Sequence, residues 1–254
     1  MHALVPGQAL AGGRYTVERS LSIGGMGAIY LAVDHEAFER AVVIKTLLAS
    51  GAAADPAEQQ AAQERFLREA RTLAALRFPT IPRIYSCFQD AGQTYIAMEY
   101  IAGTDLSAQL SRDDEASGQR LPGRPAPLAS VVRWGIALCR TLEYLAACEP
   151  PVVHQDIKPA NLILARDSGE LYLVDFGAAR LRPVSAPGVG KTAIFGTPGY
   201  AAPEQFQGRS EPRSDVYALA ATLYHLATDD DPGEHLFDFP RLAHLGYLGQ
   251  ILRG

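Results

Sequence analysis

Cysteine is scarce in this chain, and its spacing excludes several kinds of site. The three cysteines, Cys87, Cys139 and Cys148, are far apart, and no two of them form a CxxC pair. Such pairs are typical of zinc sites and redox-active dithiols, and an even number of cysteines is typical of a disulfide framework. We therefore expect reduced, mostly buried thiols in a cytoplasmic protein.

Long apolar runs and a strong charge of one sign are also missing. No stretch reaches the ~20 apolar residues that cross a bilayer, and the opening MHALVPGQALAGGRY lacks the basic start and apolar core of a signal peptide. The net charge of −5 gives no reason to expect nucleic acid or an anionic membrane as a partner. With 48% apolar residues, the 254 residues predict a globular protein of one large domain or two small lobes.

Runs of β-forming residues fill the first hundred positions. Within residues 14–47, YTVERSL, AIYLAVD and AVVIKTL are separated by glycines or charged turns, which predicts three antiparallel strands. RIYSCF and TYIAMEY predict two more, separated by turn residues at 89–93. Between the two groups we predict a helix from about Pro56 to Leu76, because Asp55 can cap it and Pro56 suits its first turn. Its inner face is predicted to consist of Phe66, Ala70 and Leu73.

The remainder of the chain has a helical pattern. Residues 112–127 are rich in charge, Gly and Pro and predict a surface loop. Leu128–Ala147 predicts a long helix, and LILA and LYLVDF predict a hairpin across RDSGE. Val216–Ala227 is apolar on all sides, which is typical of a helix at the centre of a domain. The whole pattern predicts an α+β fold of two lobes joined near residues 99–102.

A glycine-rich turn, SIGGMG at Ser22–Gly27, lies between two predicted strands. Glycines let backbone N–H groups approach phosphate oxygens, although a simple hairpin turn explains the same residues equally well. A dinucleotide-binding turn is disfavoured, because that turn must lead into a helix. Strand alternation places Lys45 and Val43 on one face of the next strand, where Lys45 could reach phosphates. Glu69, beside the apolar stripe of the predicted helix, is the best partner for Lys45; the alternative is that both are solvated surface residues.

The stretch VVHQDIKPAN, residues 152–161, concentrates groups suited to phosphoryl transfer. Asp156 could accept a proton from an attacking hydroxyl, and Lys158 could neutralise charge on the transferred group. Asn161 and, further along, Asp175 in VDFG offer oxygen atoms to a hard metal ion. Phosphoryl transfer needs such positioning and electrostatic groups rather than covalent chemistry. Alone, an Asp followed within two residues by Gly more often marks a turn.

The order of these motifs, from the glycine loop through HxDxKxxN and DFG to APE, resembles the eukaryotic-type (Hanks-type) serine/threonine protein kinases. The resemblance covers about Arg14 to Phe237 and is nearest to bacterial members. It implies a two-lobed protein-kinase-like fold: a small antiparallel sheet with one helix, then a mainly helical lobe. The implied divisions are an N-terminal extension at 1–13 and a kinase domain at 14–254, made of an N-lobe at 14–98, a hinge at 99–102 and a C-lobe at 103–254.

The resemblance also implies a role for each matching residue. The residues implied in catalysis are Asp156, Lys158, Lys45, Glu69 and Thr197. Those implied in nucleotide binding are Gly24, Gly25, Gly27, Ile29, Val43, Lys45, Met98, Glu99, Ile101 and Ile163. Asn161 and Asp175 are the implied metal ligands, the implied cofactors are ATP and Mg²⁺ (or Mn²⁺), and the implied partners are proteins with Ser or Thr acceptors, including the kinase itself. Lys158 and Thr197 argue against tyrosine specificity, and His154 is expected to be structural.

Four departures from the family pattern bear on activity. Ser22 replaces a loop glycine and would be strained if its φ is positive, and Val43 would narrow the adenine pocket. Gln155 replaces an Arg that pairs with a phosphate on the activation segment, so phosphorylation of Thr192 is not expected to be the main switch. The chain also stops at Gly254, where we expect the C-lobe to be truncated and Glu204 to lack its usual Arg partner. An active kinase is the preferred reading, and a pseudokinase-like or truncated nucleotide-binding module is the alternative.

Overall fold

The computed structural model describes residues 3–24, 27–46, 70, 74–113, 120–176, 180–181 and 196–253. These residues form two compact units, which divide between Ile101 and Ala102. The predicted α+β class is confirmed, because the first unit is a sheet and the second contains all the long helices of the described residues.

The described residues of the first unit form mainly a six-stranded antiparallel sheet in the order β1-β2-β3-β4-β6-β5. Its strands are β1 (Ala9–Leu10), β2 (Tyr15–Gly24), β3 (Gly27–Asp34), β4 (Arg40–Thr46), β5 (Ile84–Asp90) and β6 (Gln93–Glu99). The five strands predicted from β-branched and aromatic runs are therefore confirmed. The sequence pattern does not predict β1, which lies in the expected N-terminal extension. Its Leu10 is 2% exposed within the core of the sheet.

Aromatic side chains build one face of this sheet. Phe88 stacks against Tyr15 and Tyr95, with ring centroids 5.1 and 5.3 Å apart. On β4, Val42 and Ile44 are fully buried on this side, whereas Val43 and Lys45 are half-buried. The predicted alternation along β4 is confirmed, since neighbouring residues of a strand point to opposite faces.

The helix predicted from about Pro56 to Leu76 lies largely outside the described residues. Ala70 and residues 74–75 are helical. Ala70 is 2% exposed and packs with Ile96, Ile84 and Met98, so this one described residue of the predicted inner face does contact the sheet.

The described residues of the second unit form short strands and three α-helices. The helices are α1 (Leu128–Ala146), α2 (Pro212–Thr228) and α3 (Tyr247–Arg253). The strands are β7 (Gly103–Asp105), β8 (Arg112–Asp113), β9 (Arg120–Leu121), β10 (Val152–Val153), β11 (Leu162–Ala165), β12 (Leu171–Leu173) and β13 (Arg180–Leu181). β11 pairs with β12 in the predicted hairpin and also with β7.

Helix α2 is the centre of this unit, as its apolar sequence predicts. Eleven of its residues are buried. It approaches α1 closely at Gly135, where an added Cβ would lie 2.9 Å from Leu223 Cδ1. The helix begins four residues before the predicted Val216, because Glu211 and Ser214 form a capping box and Pro212 occupies the first turn.

Two expectations about the surface are wrong. Residues 112–127 are not wholly a loop, since β8 and β9 pair there. The residue before this hairpin, Ser111, donates its backbone N–H and its hydroxyl to the carboxylate of Asp229, at 2.7 and 2.5 Å.

The expectation that the thiols are mostly buried is wrong: Cys87 and Cys139 are exposed and Cys148 is half-buried. In the described part of the chain, no helix has the length and apolar character needed to cross a membrane.

Candidate active site

The loop between β10 and β11 carries the residues that the sequence singles out for phosphoryl transfer. The start of this loop is hydrogen-bonded to Asp215, near the N-terminal end of α2. The Asp215 carboxylate accepts hydrogen bonds from the backbone N–H groups of His154 and Gln155, at 2.7 and 2.8 Å. Burial raises the pKa of Asp215 to about 7, although both hydrogen bonds act in the opposite direction.

His154 is a structural residue, as predicted. It is fully buried, and its Nε2 lies 3.2 Å from the carbonyl oxygen of Val174. Its ring meets the edge of Phe176 at a centroid distance of 4.6 Å. The imidazole therefore joins the loop to the chain segment that includes Asp175.

Asp156, Lys158 and Thr197 converge on one point. Thr197 Oγ1 donates to Asp156 Oδ1 at 2.6 Å and accepts from Lys158 Nζ at 2.7 Å. Lys158 Nζ also lies 2.9 Å from Asp156 Oδ2. Each of these three side chains is partly exposed. The arrangement gives a carboxylate with a cation beside it and a hydroxyl that fixes both.

Asn161 contacts the same carboxylate, at the oxygen that also lies near Lys158. Its Nδ2 donates to the backbone oxygen of Asp156 at 2.7 Å and to Asp156 Oδ2 at 3.1 Å. Because the amide nitrogen is committed to Asp156, the amide oxygen Oδ1 is the atom left for a cation. The backbone oxygen of Asn161 accepts from Val174 N–H at 2.9 Å, which brings the residue before Asp175 next to Asn161. A carboxylate and an amide oxygen are donors that fit a hard divalent ion.

The predicted nucleotide-binding residues of the first unit lie on adjacent strands. Gly24 and Gly27 face each other at the ends of β2 and β3. Lys45 of β4 pairs with Ile29 of β3 and with Ile96 of β6. Ile29 and Lys45 are half-buried, so neither is sealed inside the sheet.

The other predicted nucleotide contacts lie on β4, on β6 or just after it, and on β11. Val43 pairs with Met98, and both are half-buried. Glu99 ends β6; its N–H donates to Arg83 O at 2.8 Å, and its carboxylate accepts from Arg83 N–H at 3.1 Å. Ile101 is 8% exposed. The remaining predicted contact, Ile163, belongs to the second unit, where it is half-buried on β11.

Several predicted residues lie outside the described part of the chain. They are Gly25, Glu69, Leu73 and Thr192. The proposed Lys45–Glu69 pair therefore stays a prediction.

The structure contradicts the strain expected at Ser22 and the expectation that the Glu204 carboxylate is unpaired. Ser22 lies within β2 and pairs with Ile29, so its backbone is extended and the strain expected of a positive φ does not arise. Glu204 is not left without a partner, because the hydroxyl of fully buried Ser214 donates to Glu204 Oε1 at 2.6 Å. The Glu204 carboxylate is therefore partnered by a neutral hydroxyl at the start of α2.

The site also contains residues that the motifs did not identify. Gln205 and Ser210 both bond to Gln155, which directly precedes Asp156. Neither residue belongs to a catalytic motif, and each is 50 or more positions from Gln155 in sequence. Only the folded chain brings them together.

Comparison with known proteins gives one consistent result. A family model described as the protein kinase domain matches residues 15–238. The chain is 36% identical to serine/threonine-protein kinase PknF of Mycobacterium tuberculosis over 237 residues, which is 91% of this chain and 46% of PknF. It is 34% identical to serine/threonine-protein kinase PknA of a Nostoc species over 234 residues, 89% of this chain and 39% of PknA. The chain thus spans less than half the length of these relatives.

Solved structures resemble the chain as well. The kinase domain of Mycobacterium tuberculosis PknI superimposes with a TM-score of 0.70 at 28% identity, covering 98% of this chain and 89% of that domain. A double-mutant form of the same domain gives a TM-score of 0.69 at 30% identity.

Proposed function

Since this chain belongs to the protein kinase family, we propose that it transfers the γ-phosphoryl group of ATP to serine and threonine hydroxyls of proteins, as part of bacterial signalling. The observation that carries this proposal is the convergence of Asp156, Lys158 and Thr197. It supplies a proton acceptor, a cation for the transferred group and a brace that fixes their separation. A Thr in the brace position also favours Ser and Thr acceptors over Tyr, which the resemblance to Ser/Thr-directed kinases implies.

In the proposed reaction a bond forms between the acceptor oxygen and the γ-phosphorus while the bond to the β–γ bridging oxygen breaks. The acceptor hydroxyl gives its proton to the carboxylate of Asp156. Lys158 stays close enough to offset negative charge on the transferred group, because its ammonium is held by Thr197 as well as by Asp156. The chain's main contribution is therefore position and electrostatics.

ATP and a divalent ion are the cofactors of this proposal. Asn161 and Asp175 would hold Mg²⁺, or Mn²⁺ in its place, which when bound neutralises charge on the phosphates. The proposed nucleotide contacts are Gly24, Gly25, Gly27, Ile29, Val43, Lys45, Met98, Glu99, Ile101 and Ile163. Glu69 is the proposed partner of Lys45, completing the catalytic set.

We further propose that the chain is a non-specific serine/threonine protein kinase acting in the cytoplasm. Its partners would be protein substrates and, through autophosphorylation, other copies of itself.

The test is transfer of labelled γ-phosphate to myelin basic protein by the wild type and by Asp156→Asn, each shown to be folded by its circular dichroism. We expect strong transfer by the wild type and almost none by the variant, because an amide cannot accept the acceptor's proton. Equal transfer by both would exclude the proposed role of Asp156. No transfer by a folded wild type that still binds ATP would favour a nucleotide-binding module without turnover.

A further inference from the structure

The residue before the proposed catalytic base has an unusual backbone. Gln155 has a φ of 70°, in the left-handed region that residues other than glycine avoid. Such a residue stays there only when its surroundings hold it. Because Gln155 precedes Asp156, its backbone angles set the direction in which the Asp156 carboxylate points.

Gln205 holds the carbonyl side of Gln155. It is 1% exposed, and both ends of its amide are used. Its Nε2 donates to the backbone oxygen of Gln155 at 3.0 Å, and its Oε1 accepts from Ala202 N–H at 3.0 Å. One side chain therefore ties the catalytic loop to the segment that follows Thr197.

Gly196 also lies close to the Gln205 amide and to the Gln155 carbonyl. A Cβ added there would lie 2.7 Å from Ala201 Cβ, 3.1 Å from Gln205 Nε2 and 3.3 Å from the backbone oxygen of Gln155. Gly196 is the immediate neighbour of Thr197, so the Gln205 amide lies where the Thr197 segment meets the loop that carries Asp156.

Ser210 holds the side chain of Gln155. The Gln155 side chain is buried, with 2% of the residue exposed, and its Oε1 accepts from Ser210 Oγ at 2.8 Å. With Asp215 bonded to its N–H at 2.8 Å, Gln155 is held at its nitrogen, its carbonyl and its side chain. All three contacts come from residues 205–215, and none of them needs a phosphate.

We infer that Gln205 and Ser210 are positioning residues for the phosphoryl-transfer site, an inference that rests on the proposed kinase function. They act through Gln155: by holding its left-handed backbone they aim Asp156 at Thr197 and Lys158. The arrangement is an internal, uncharged clamp on the catalytic loop, present in the folded chain without modification of the activation segment.

The kinetic test uses matched variants. Gln205→Met keeps the length of the side chain and removes the hydrogen bond from Nε2 to the Gln155 carbonyl. Gln207→Met makes the same change at an exposed position of the same short helix. We expect Gln205→Met to lower kcat roughly tenfold with the KM for ATP changed less than about twofold, and Gln207→Met to leave kcat unchanged. Equal kcat for both variants, or an effect confined to KM, would overturn the inference.

Ser210 provides a second arm that does not depend on how well Gln205→Met folds. Ser210→Ala removes the donor to Gln155, whereas Ser210→Thr keeps a hydroxyl. We expect the first to lower kcat several-fold and the second to restore most of it. A kcat for Ser210→Thr as low as that of Ser210→Ala would show that the hydroxyl is not the feature that matters.

A third measurement separates this inference from the proposed function. Hydrogen exchange at the amides of Gln155 and Asp156 reports the clamp whether or not the chain transfers phosphate. We expect faster exchange at both amides in Gln205→Met and Ser210→Ala than in the wild type and Gln207→Met. Unchanged exchange overturns the clamp even in an active kinase, while faster exchange in a chain that transfers no phosphate upholds the clamp and rejects the proposed function alone.

Discussion

Thr197 Oγ1 donates a 2.6 Å hydrogen bond to Asp156 Oδ1 across 41 positions of sequence. The same hydroxyl accepts from Lys158 Nζ at 2.7 Å, so it orders the two charged groups of the site. A site whose chemistry is proton acceptance and charge neutralisation depends on this separation, because a displaced base or cation loses most of its effect.

Removal of the Thr197 hydroxyl is expected to slow the reaction strongly. Thr197→Val keeps the shape of the side chain and removes its hydrogen bonds to Asp156 and Lys158. A hydrogen bond to a charged group typically contributes about 1.5–3 kcal/mol to the stability of the arrangement that contains it. We expect kcat to fall roughly 10- to 100-fold with little change in the KM for ATP. Thr197→Ser keeps the hydroxyl and is the control; a Ser variant as slow as the Val variant would contradict the role of the hydroxyl.

Phosphorylation of Thr192 is expected to contribute little to activity. Gln155 is uncharged and its side chain is already bonded to Ser210, so it cannot form the strong pairing that a guanidinium makes with phosphate. Thr192→Ala should therefore lower kcat/KM by less than about tenfold, roughly 1.4 kcal/mol in barrier height. A larger loss, with Thr192 phosphate found in the wild type by mass spectrometry, would count against this account.

The stability of the second unit is expected to depend on the protonation of Asp215. Burial raises the pKa of Asp215 from an ordinary 3.8 to about 7, so the folded chain keeps this proton to higher pH than the unfolded chain does. The contribution of a group with a raised pKa is fully present below the unfolded pKa, near 4, and is lost as pH rises through about 7.

Urea unfolding of the wild type and Asp215→Asn, at pH values between about 4.5 and about 7.5, measures this dependence. Because Asn does not titrate, the wild type's advantage in free energy of unfolding over the variant should shrink as pH rises. Asp167→Asn, at an exposed turn, controls for the loss of a carboxyl at the surface. An advantage that grows with pH would mean that the two backbone N–H groups outweigh burial and lower the pKa instead.

The sheet and the long helices could be predicted because their signals are local. Strands β2 to β6 each contain a β-branched or aromatic run bounded by turn residues, and α1 ends within one residue of its predicted end. The cluster around Asp156 could be proposed for a related reason: Asp156, Lys158 and Asn161 lie within six positions, and the family resemblance supplied Thr197.

The rest depends on contacts between distant residues. Gln205 bonds to the Gln155 backbone across 50 positions, and nothing in the local sequence identifies it as more than a polar residue after APE. The family pattern indicates an Arg as the partner of Glu204, whereas in the structure the hydroxyl of Ser214, at the start of α2, donates to one oxygen of that carboxylate. Cys139 lies in an apolar stretch but on the exposed side of α1, where periodicity alone could not distinguish it from a core residue.

The central claim is that Asp156 serves a γ-phosphoryl transfer to Ser or Thr. Its most direct test is mass spectrometry of myelin basic protein after incubation with the wild type or Asp156→Asn, Mg²⁺, and ATP carrying heavy oxygen in its γ-phosphate. We predict that the wild type places heavy-oxygen phosphate on Ser and Thr, and that Asp156→Asn places almost none. Equal labelling by the two folded proteins, labelling of Tyr alone, or no labelling by either would contradict the claim.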